Sequence, residues 1–438
     1  MTVDFIYDTL NEFFPSLAGN DFFLFIAMLL PIAGLLGFIT IYGFGVIYSE
    51  IKVSSFIQDK TGPMGQGPGL HAGKWGLLQP VADGIKLFIK EDIIPANADR
   101  PLFILAPFMI FIGALVAFIA VPFGEKIIIA DMNIGLLYIL GVGSIAVIAL
   151  ILAGWSSNNK WALYGGMRSA AQIISYEIPA GISLVVVILL ASSLNMQDII
   201  AYQKGGIFNW IIFDNPFMPI AFVIYFISAL AECNRTPFDL PESESELVAG
   251  FVTEYSGTRY AIFFLSEYAN MFVVSAVAVT AFLGGWQSPF PNFLNTPAFS
   301  MFWMVSKTFF LIFIMIWVRW TVPRLRVDQL MHLCWKVFIP IGLFNVFGTL
   351  SSGYLSTKIS KKKLLSAIYF FRGVSLIYFV FMPPSVVNAL IFEITFGEQF
   401  SNSEEPALAI PNTFRQNSIV CNCIPKHIPS VGIFDSRR

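Results

Sequence analysis

Residues 134–155 read IGLLYILGVGSIAVIALILAGW, a run of twenty-two residues without a charged side chain. At about 1.5 Å per residue, an α-helix of this length extends about 33 Å, enough to cross a hydrocarbon core of about 30 Å. A helix also satisfies its backbone polar groups internally, which lipid requires. The run therefore predicts a transmembrane helix in an all-α integral membrane protein.

Seven similar runs predict, together with this one, a bundle of eight transmembrane helices. The spans are expected near 22–48, 102–123, 134–155, 173–194, 217–231, 260–286, 297–318 and 337–354, the fifth being short. The composition agrees, because only 12% of the 438 residues are charged, against about 25% in soluble domains. We expect residues 1–355 to form a polytopic domain in a lipid bilayer.

Positive charge is distributed unevenly over the connections between the spans. The odd-numbered connections hold fourteen Lys and Arg residues and the even-numbered ones hold two. The odd-numbered connections cover about residues 50–101, 156–172, 232–259 and 319–336. Because cytoplasmic connections are enriched in Lys and Arg, these are expected in the cytoplasm or matrix, with the N-terminus outside.

The first connection is too long for a simple turn. Residues 62–73 are rich in Gly and Pro and are not expected to form a regular helix. Residues 75–90 predict an amphipathic helix that lies at the membrane interface or packs on a soluble partner. Its apolar face is formed by Leu77, Leu78, Val81, Ile85, Phe88 and Ile89.

Residues 356–438 form an atypical C-terminal extension. A further apolar segment, about 364–394, follows a lysine cluster and is interrupted by Arg372 and by the pair Pro383–Pro384. It is either a weak ninth span or a surface segment. The last forty or so residues have the composition of a disordered tail.

The most informative stretch is 231–260, AECNRTPFDLPESESELVAGFVTEYSGTRY. Its six carboxylates are Glu232, Asp239, Glu242, Glu244, Glu246 and Glu254. Charge alone favours a solvated loop, but apolar residues such as Phe238 and Phe251 would not be needed there. Carboxylates among apolar side chains have raised pKa values and can exchange protons near neutral pH.

Two further acids lie inside predicted spans. Glu267 is about two turns inside the sixth span, and Glu177 is at the cytoplasmic end of the fourth. A carboxylate at this depth is expected to face a wet interior or to pair with a cation. Lys307, in the seventh span, is the candidate partner of Glu267, and ion pairing and proton transfer both remain open. Arg168 precedes Gln172 by four residues, so the two side chains are expected on one face of a helix.

The ligands of a redox centre are not apparent. The four cysteines and three histidines are widely spread, apart from the pair Cys421 and Cys423. This spacing is not that of a zinc or iron–sulfur site. We expect this chain to bind no metal or other cofactor, and nothing indicates nucleic acid binding.

Six phrases occur together in a recognisable order. They are EIK (50–52), GLLQPVADGIKLFIKED (76–92), MRSAAQIISYE (167–177), RTPFDLPESESELVAGFVTEYSG (235–257), FLSEYANM (264–271) and RLRVDQLMHLCWK (324–336). With them the chain resembles NADH dehydrogenase subunit 1, the quinone-site membrane subunit of respiratory complex I, over about residues 20–350. Related subunits of membrane-bound hydrogenases share weaker versions of these sequence phrases.

The resemblance implies a channel for quinone where membrane-arm and peripheral-arm subunits of complex I meet. It implies that electrons arrive from iron–sulfur clusters and FMN in partner subunits, and that quinone reduction drives proton translocation. The proton-coupling acids would be Glu177, Glu232, Asp239, Glu242, Glu244, Glu246, Glu254 and Glu267. The quinone-cavity residues or charge partners would be Lys60, Arg168, Arg235 and Phe238. The family usually has Arg at the position of Lys60, and Lys cannot make the same bidentate contacts.

The leading hypothesis is therefore a subunit of a proton-pumping NADH:quinone oxidoreductase, in a bacterial inner membrane in preference to a mitochondrial one. A subunit of a membrane-bound hydrogenase is an alternative. A self-sufficient cation/proton transporter using Glu267 and Lys307 is another. In a third interpretation the acids only hold the interface with the peripheral arm.

Overall fold

Helices form most of the backbone in the computed structural model, which describes residues 21–60, 76–125, 127–215, 217–241, 243–290 and 297–358. The α-helices are α1 (Asp21–Ile57), α2 (Gln79–Ile89), α3 (Arg100–Phe118), α4 (Gly135–Ser156), α5 (Lys160–Ala191), α6 (Met196–Tyr202), α7 (Ile211–Asp214), α8 (Met218–Glu232), α9 (Glu244–Leu247), α10 (Gly257–Phe282), α11 (Pro297–Thr321), α12 (Val327–His332) and α13 (Ile339–Lys358). A π-helix, Leu333–Phe338, joins α12 to α13. The Gly/Pro-rich residues 62–73 and the extension beyond 358 lie outside the described residues.

Within the described ranges, seven helical segments are long and apolar enough to cross a membrane, and α8 is a shorter apolar helix. The expectation of an all-α membrane bundle is confirmed, and α8 coincides with the short fifth span. Its 15 residues extend only about 22 Å. The connection before α8 is drawn inward, because Gln203 is fully buried and its amide oxygen accepts the N–H groups of Ile211 and Gly284. The count of eight spans thus depends on α8.

Several helices are longer than their apolar runs. α5 begins at Lys160, well before the expected residue 173, because its first half presents a buried polar face that includes Gln172. α1 likewise continues to Ile57, past the expected end at 48. Hydropathy misses both segments, since some of their polar residues, such as Glu50 and Gln172, are buried against other parts of the chain.

The connections meet in two separate groups. At one end, ion pairs join Arg168 to Glu246, Arg235 and Arg319 to Glu50, and Arg324 to Asp239. At the other end, hydrogen bonds join Asn195 to Asp131, Gln197 to the Gly124 carbonyl, and Trp286 to Gln197. The first group unites the odd-numbered connections and the second the even-numbered ones, as alternating spans require. Which end faces the cytoplasm stays a prediction.

The helix α2 lies where the amphipathic pattern predicted one. Much of its apolar face is not covered by the described residues of this chain, since Phe88 is 71% and Ile89 is 79% exposed. An uncovered apolar face of this kind is suited to a membrane interface or a partner protein.

An internal proline shapes α3. Pro107 has no N–H, so the carbonyl of Phe103 lacks its helical donor. The hydroxyl of Tyr255 donates to that carbonyl at 3.3 Å, and the Tyr255 and Phe103 rings stack 4.1 Å apart. Burial raises the pKa of Tyr255 to about 12, so the hydroxyl remains a donor at neutral pH. The end of the acidic connection is thereby fixed to α3.

Close backbone packing holds the acidic connection against α5. A Cβ at Gly165 would lie 2.6 Å from the Gly250 Cα and from the Phe251 nitrogen. We expect Gly165→Ala to destabilise the protein by about 1–3 kcal/mol, the usual cost of overpacking. The thermal stability of the purified protein measures the loss.

The same helix offers a matched control. A Cβ at Gly181 would meet nothing within 4 Å, so Gly181→Ala is expected to be neutral or slightly stabilising. Equal stability of the two variants would contradict the close approach at Gly165.

Candidate functional site

The acidic connection is packed against the bundle and is not merely solvated. Phe238, Leu240, Leu247 and Phe251 are each at most 3% exposed. Val248 is an exception, with 58% of its surface exposed. The apolar residues between the carboxylates therefore serve as anchors of the connection.

Gln172 and Arg168 hold this connection from one face of α5, as their spacing predicted. The Gln172 side-chain nitrogen donates to the carbonyls of Ala231 and Phe238, both at 2.8 Å. Arg168 pairs with Glu246 at 2.7 Å, but their side chains are 34% and 52% exposed. A pair this exposed contributes at most about 1 kcal/mol.

Two more of the predicted acids have polar partners. Asp239 pairs with Arg324 at 3.0 Å. Glu254 accepts a hydrogen bond of 2.6 Å from Asn159. Glu242 and the side chain of Glu244 lie outside the described residues.

Glu50, near the end of α1 and outside the acidic connection, is paired with two arginines. Its carboxylate accepts bonds from Arg235 at 3.1 and 3.2 Å, from Tyr268 at 2.6 Å and from Arg319. The Arg235 guanidinium also lies 4.3 Å from the centre of the Tyr268 ring. Glu50 is 7% and Arg235 4% exposed. These four residues, here the Glu50 cluster, fasten α1, α10 and α11 to the acidic connection.

Glu50 was missing from the residues proposed from sequence, where it appears only within the phrase EIK. A signal existed, because Ile39, Tyr42 and Val46 form the buried stripe of α1. Glu50 continues that stripe at helical spacing.

The other quinone-cavity candidates are dispersed. Phe238 is 2% exposed and packs against the Tyr176 ring, with centroids 5.3 Å apart. Lys60 is exposed and donates to Gln58 at 2.9 Å. Neither residue lines the cavity described next.

A cavity of about 50 Å³ lies inside the bundle between α3, α4, α5, α8 and α10. Most of its lining is apolar, and the polar lining residues are Glu232, Cys233, Asn234, Ser266, Glu267 and Asn270. One water needs about 10–15 Å³ of such volume, so the cavity has room for three to five waters. Glu232 and Glu267, from different helices, therefore share an interior cavity with room for water.

Glu177 belongs to the same group of acids. Its Oε1 accepts a 2.7 Å hydrogen bond from Ser144 on α4. Glu177 lies near enough to Glu232 for their charges to interact, and within the described residues Glu232 forms no ion pair with Lys or Arg.

The suggested ion pair between Glu267 and Lys307 does not form. The Lys307 ammonium donates to the carbonyls of Leu283, Gly285 and Gln287 at 2.7–3.0 Å and lies 4.4 Å from the Trp210 ring centre. Leu283 follows Glu267 by sixteen residues, about 24 Å along a helix. Lys307 thus binds the backbone at the C-terminal end of α10, remote from Glu267.

No group of three or more His, Cys, Asp or Glu side chains within the described ranges could hold a metal ion. The arrangement consists of carboxyl groups at a mainly apolar cavity and of ion pairs between the connections. Chemically, it can move protons and respond to a nearby change of charge.

Comparison with known proteins agrees with the resemblance in the motifs. The sequence profile of the family described as NADH dehydrogenase matches residues 30–350. The chain is 51% identical over 350 residues to an NADH-quinone oxidoreductase subunit of Chlorobaculum tepidum, covering 77% of this chain and 96% of that protein. It is 46% identical to an NADH-quinone oxidoreductase subunit of Geobacter metallireducens, covering 74% and 95%. It is 49% identical to one of Geobacillus sp., covering 72% and 89%. The chain therefore belongs to the NADH dehydrogenase family.

Proposed function

We propose that this chain is the membrane subunit of an NADH:quinone oxidoreductase in which Glu177, Glu232 and Glu267 couple quinone reduction to proton translocation. The single observation that carries the proposal is the convergence of Glu232 and Glu267, from α8 and α10, on one cavity within the membrane bundle, with Glu177 of α5 near enough for its charge to act on Glu232. The names of the relatives supply the reaction.

The chemistry follows from the charges. Reduction of a quinone to a quinol takes up two electrons and two protons, so negative charge appears nearby until protons arrive. Carboxyl groups in a largely apolar cavity respond strongly to such a charge, because screening there is weak. Glu232 has no cationic partner among the described residues that would fix its charge, so it is suited to exchange a proton.

The remaining acids have a holding role in this proposal. Asp239 and Glu246 are paired with arginines, and Glu254 with Asn159. Arg235 supports the Glu50 cluster beside the cavity. The transporter alternative loses its ion path, because Lys307 contacts the far end of α10 and not Glu267.

The partners and location belong to the same proposal. Other subunits of the complex, in the peripheral and membrane arms, would hold the iron–sulfur clusters and FMN, and a quinone would be the substrate. The uncovered apolar face of α2 offers a contact for such subunits or for lipid. The odd-numbered connections would face the cytoplasm of a bacterial inner membrane.

The test is NADH-driven quinone reduction and proton pumping with Glu232→Gln, normalised to assembled complex. We expect a loss of at least about tenfold, since positioned acid–base groups contribute about 10²–10⁴-fold. Glu125→Gln is the matched control, because Glu125 is exposed in an even-numbered connection. Normal turnover and pumping with Glu232→Gln would refute the proposed role of this acid.

A further inference from the structure

Pro179 lies inside α5, two residues after Glu177. Pro179 has no N–H, so the carbonyl of Ser175, four residues earlier, lacks its helical donor. Ser175 is only 4% exposed, and a buried carbonyl needs a partner. Glu177 lies between these two residues, in the turn from which this one backbone hydrogen bond is missing.

The missing donor comes from the π-helix that precedes α13. The Cys334 thiol donates to the Ser175 carbonyl across 3.0 Å, and Cys334 is fully buried. A second hydrogen bond runs in the opposite direction, because the Tyr176 hydroxyl donates to the Leu330 carbonyl at 3.0 Å. The two bonds fix this turn of α5 to the segment 330–334.

We propose that Cys334 is a positioning residue for Glu177. Its thiol replaces the hydrogen bond that Pro179 removes and holds the turn that presents the Glu177 carboxylate to Ser144 and the cavity acids. The inference rests on the proposed function, because the position of Glu177 affects turnover only if this acid takes part in proton exchange.

The substitutions Cys334→Ala and Cys334→Ser separate hydrogen bonding from packing. Ala and Ser have nearly the same volume, so both variants lose the sulfur, but only Ser retains a donor. We expect Cys334→Ser to keep wild-type turnover within about twofold. Cys334→Ala is expected to lose about two- to tenfold, the equivalent of one hydrogen bond, and to shift the pH profile of quinone reduction. Indistinguishable Ala and Ser variants would overturn the inference.

The double variant Pro179→Ala/Cys334→Ala gives the decisive test. Pro179→Ala returns an N–H donor to the Ser175 carbonyl, which makes the thiol dispensable. Cys334→Ala should therefore have no effect when Pro179→Ala is also present. A packing defect would persist in that background, and its persistence would overturn the inference. If Cys334→Ala alone fails to assemble, recovery of assembly in the double variant supports the inference and continued failure refutes it.

Glu177→Gln, measured in parallel, separates the two proposals. Unchanged turnover in this variant would remove Glu177 from the proposed function and the role of Cys334 with it. Reduced turnover with Glu177→Gln, combined with identical Ala and Ser variants at Cys334, would overturn only the inference about Cys334.

Discussion

Glu50→Gln is expected to destabilise the protein by about 3–5 kcal/mol, the cost of leaving a buried charge unpaired. The Glu50 carboxylate is the shared anion of Arg235 and Arg319. Its loss leaves both guanidinium groups without their directly bonded carboxylate, and Arg235 is only 4% exposed. The amount of assembled complex in the membrane and its thermal midpoint in detergent measure the effect.

A second substitution identifies charge as the cause. Arg319→Gln in the Glu50→Gln background removes one of the two unpaired cations, so partial recovery of stability is expected. Asp83→Asn is the control, since Asp83 and Lys86 form an exposed ion pair of the kind that contributes at most about 1 kcal/mol. If Glu50→Gln and Asp83→Asn have the same thermal midpoint and the same amount of assembled complex, the Glu50 cluster does not stabilise the bundle.

Apolar runs are sufficient to predict the bundle but not the ends of its helices. The run at 217–231 coincides with α8 to within a residue, because both of its ends meet polar or charged sequence. α5 starts thirteen residues before the predicted residue 173. Polar residues of that extra segment, such as Gln172, bond to other parts of the chain, and hydropathy cannot distinguish them from residues in water.

The candidate site is predictable in its members but not in its geometry. Glu177, Glu232 and Glu267 were all selected from sequence; Glu232 and Glu267 line one cavity, and Glu177 lies beside them on α5, bonded to Ser144. The grouping of Glu232 with acids at 177 and 267 depends on tertiary contacts that no local pattern encodes. The remaining predicted acids separate into ion pairs and hydrogen bonds, and their roles in coupling stay predictions.

Depth explains why the pairing of Glu267 with Lys307 was wrong. Each residue lies ten positions from the start of its helix, Gly257 for α10 and Pro297 for α11. The two helices run in opposite directions, so the starts lie at opposite ends of the bundle. Glu267 is therefore nearer the odd-numbered connections and the Lys307 ammonium nearer the even-numbered ones. Comparing the depth of each residue, counted from helix starts at opposite ends of the bundle, would have excluded this ion pair.

Lys307→Met is expected to reduce stability by roughly 2–5 kcal/mol, because three backbone carbonyls lose their shared donor at once. The ammonium bonds to Leu283, Gly285 and Gln287, directly after the last turn of α10. A cation there also opposes the partial negative charge of the helix C-terminus. Thermal inactivation of the assembled complex is the measurement.

Lys307→Gln, which retains two N–H donors without the charge, should lie between wild type and Lys307→Met. Turnover per assembled complex should stay within about twofold of wild type in both variants, because the clamp contacts the end of α10 remote from Glu267. If the Lys307→Met complex is stable and reduces quinone but no longer pumps protons, Lys307 takes part in ion translocation and its proposed structural role is wrong. The order wild type, Gln, Met in stability, with pumping preserved, would instead mark Lys307 as the cation that fastens α10 and leave proton exchange to the acids of the cavity.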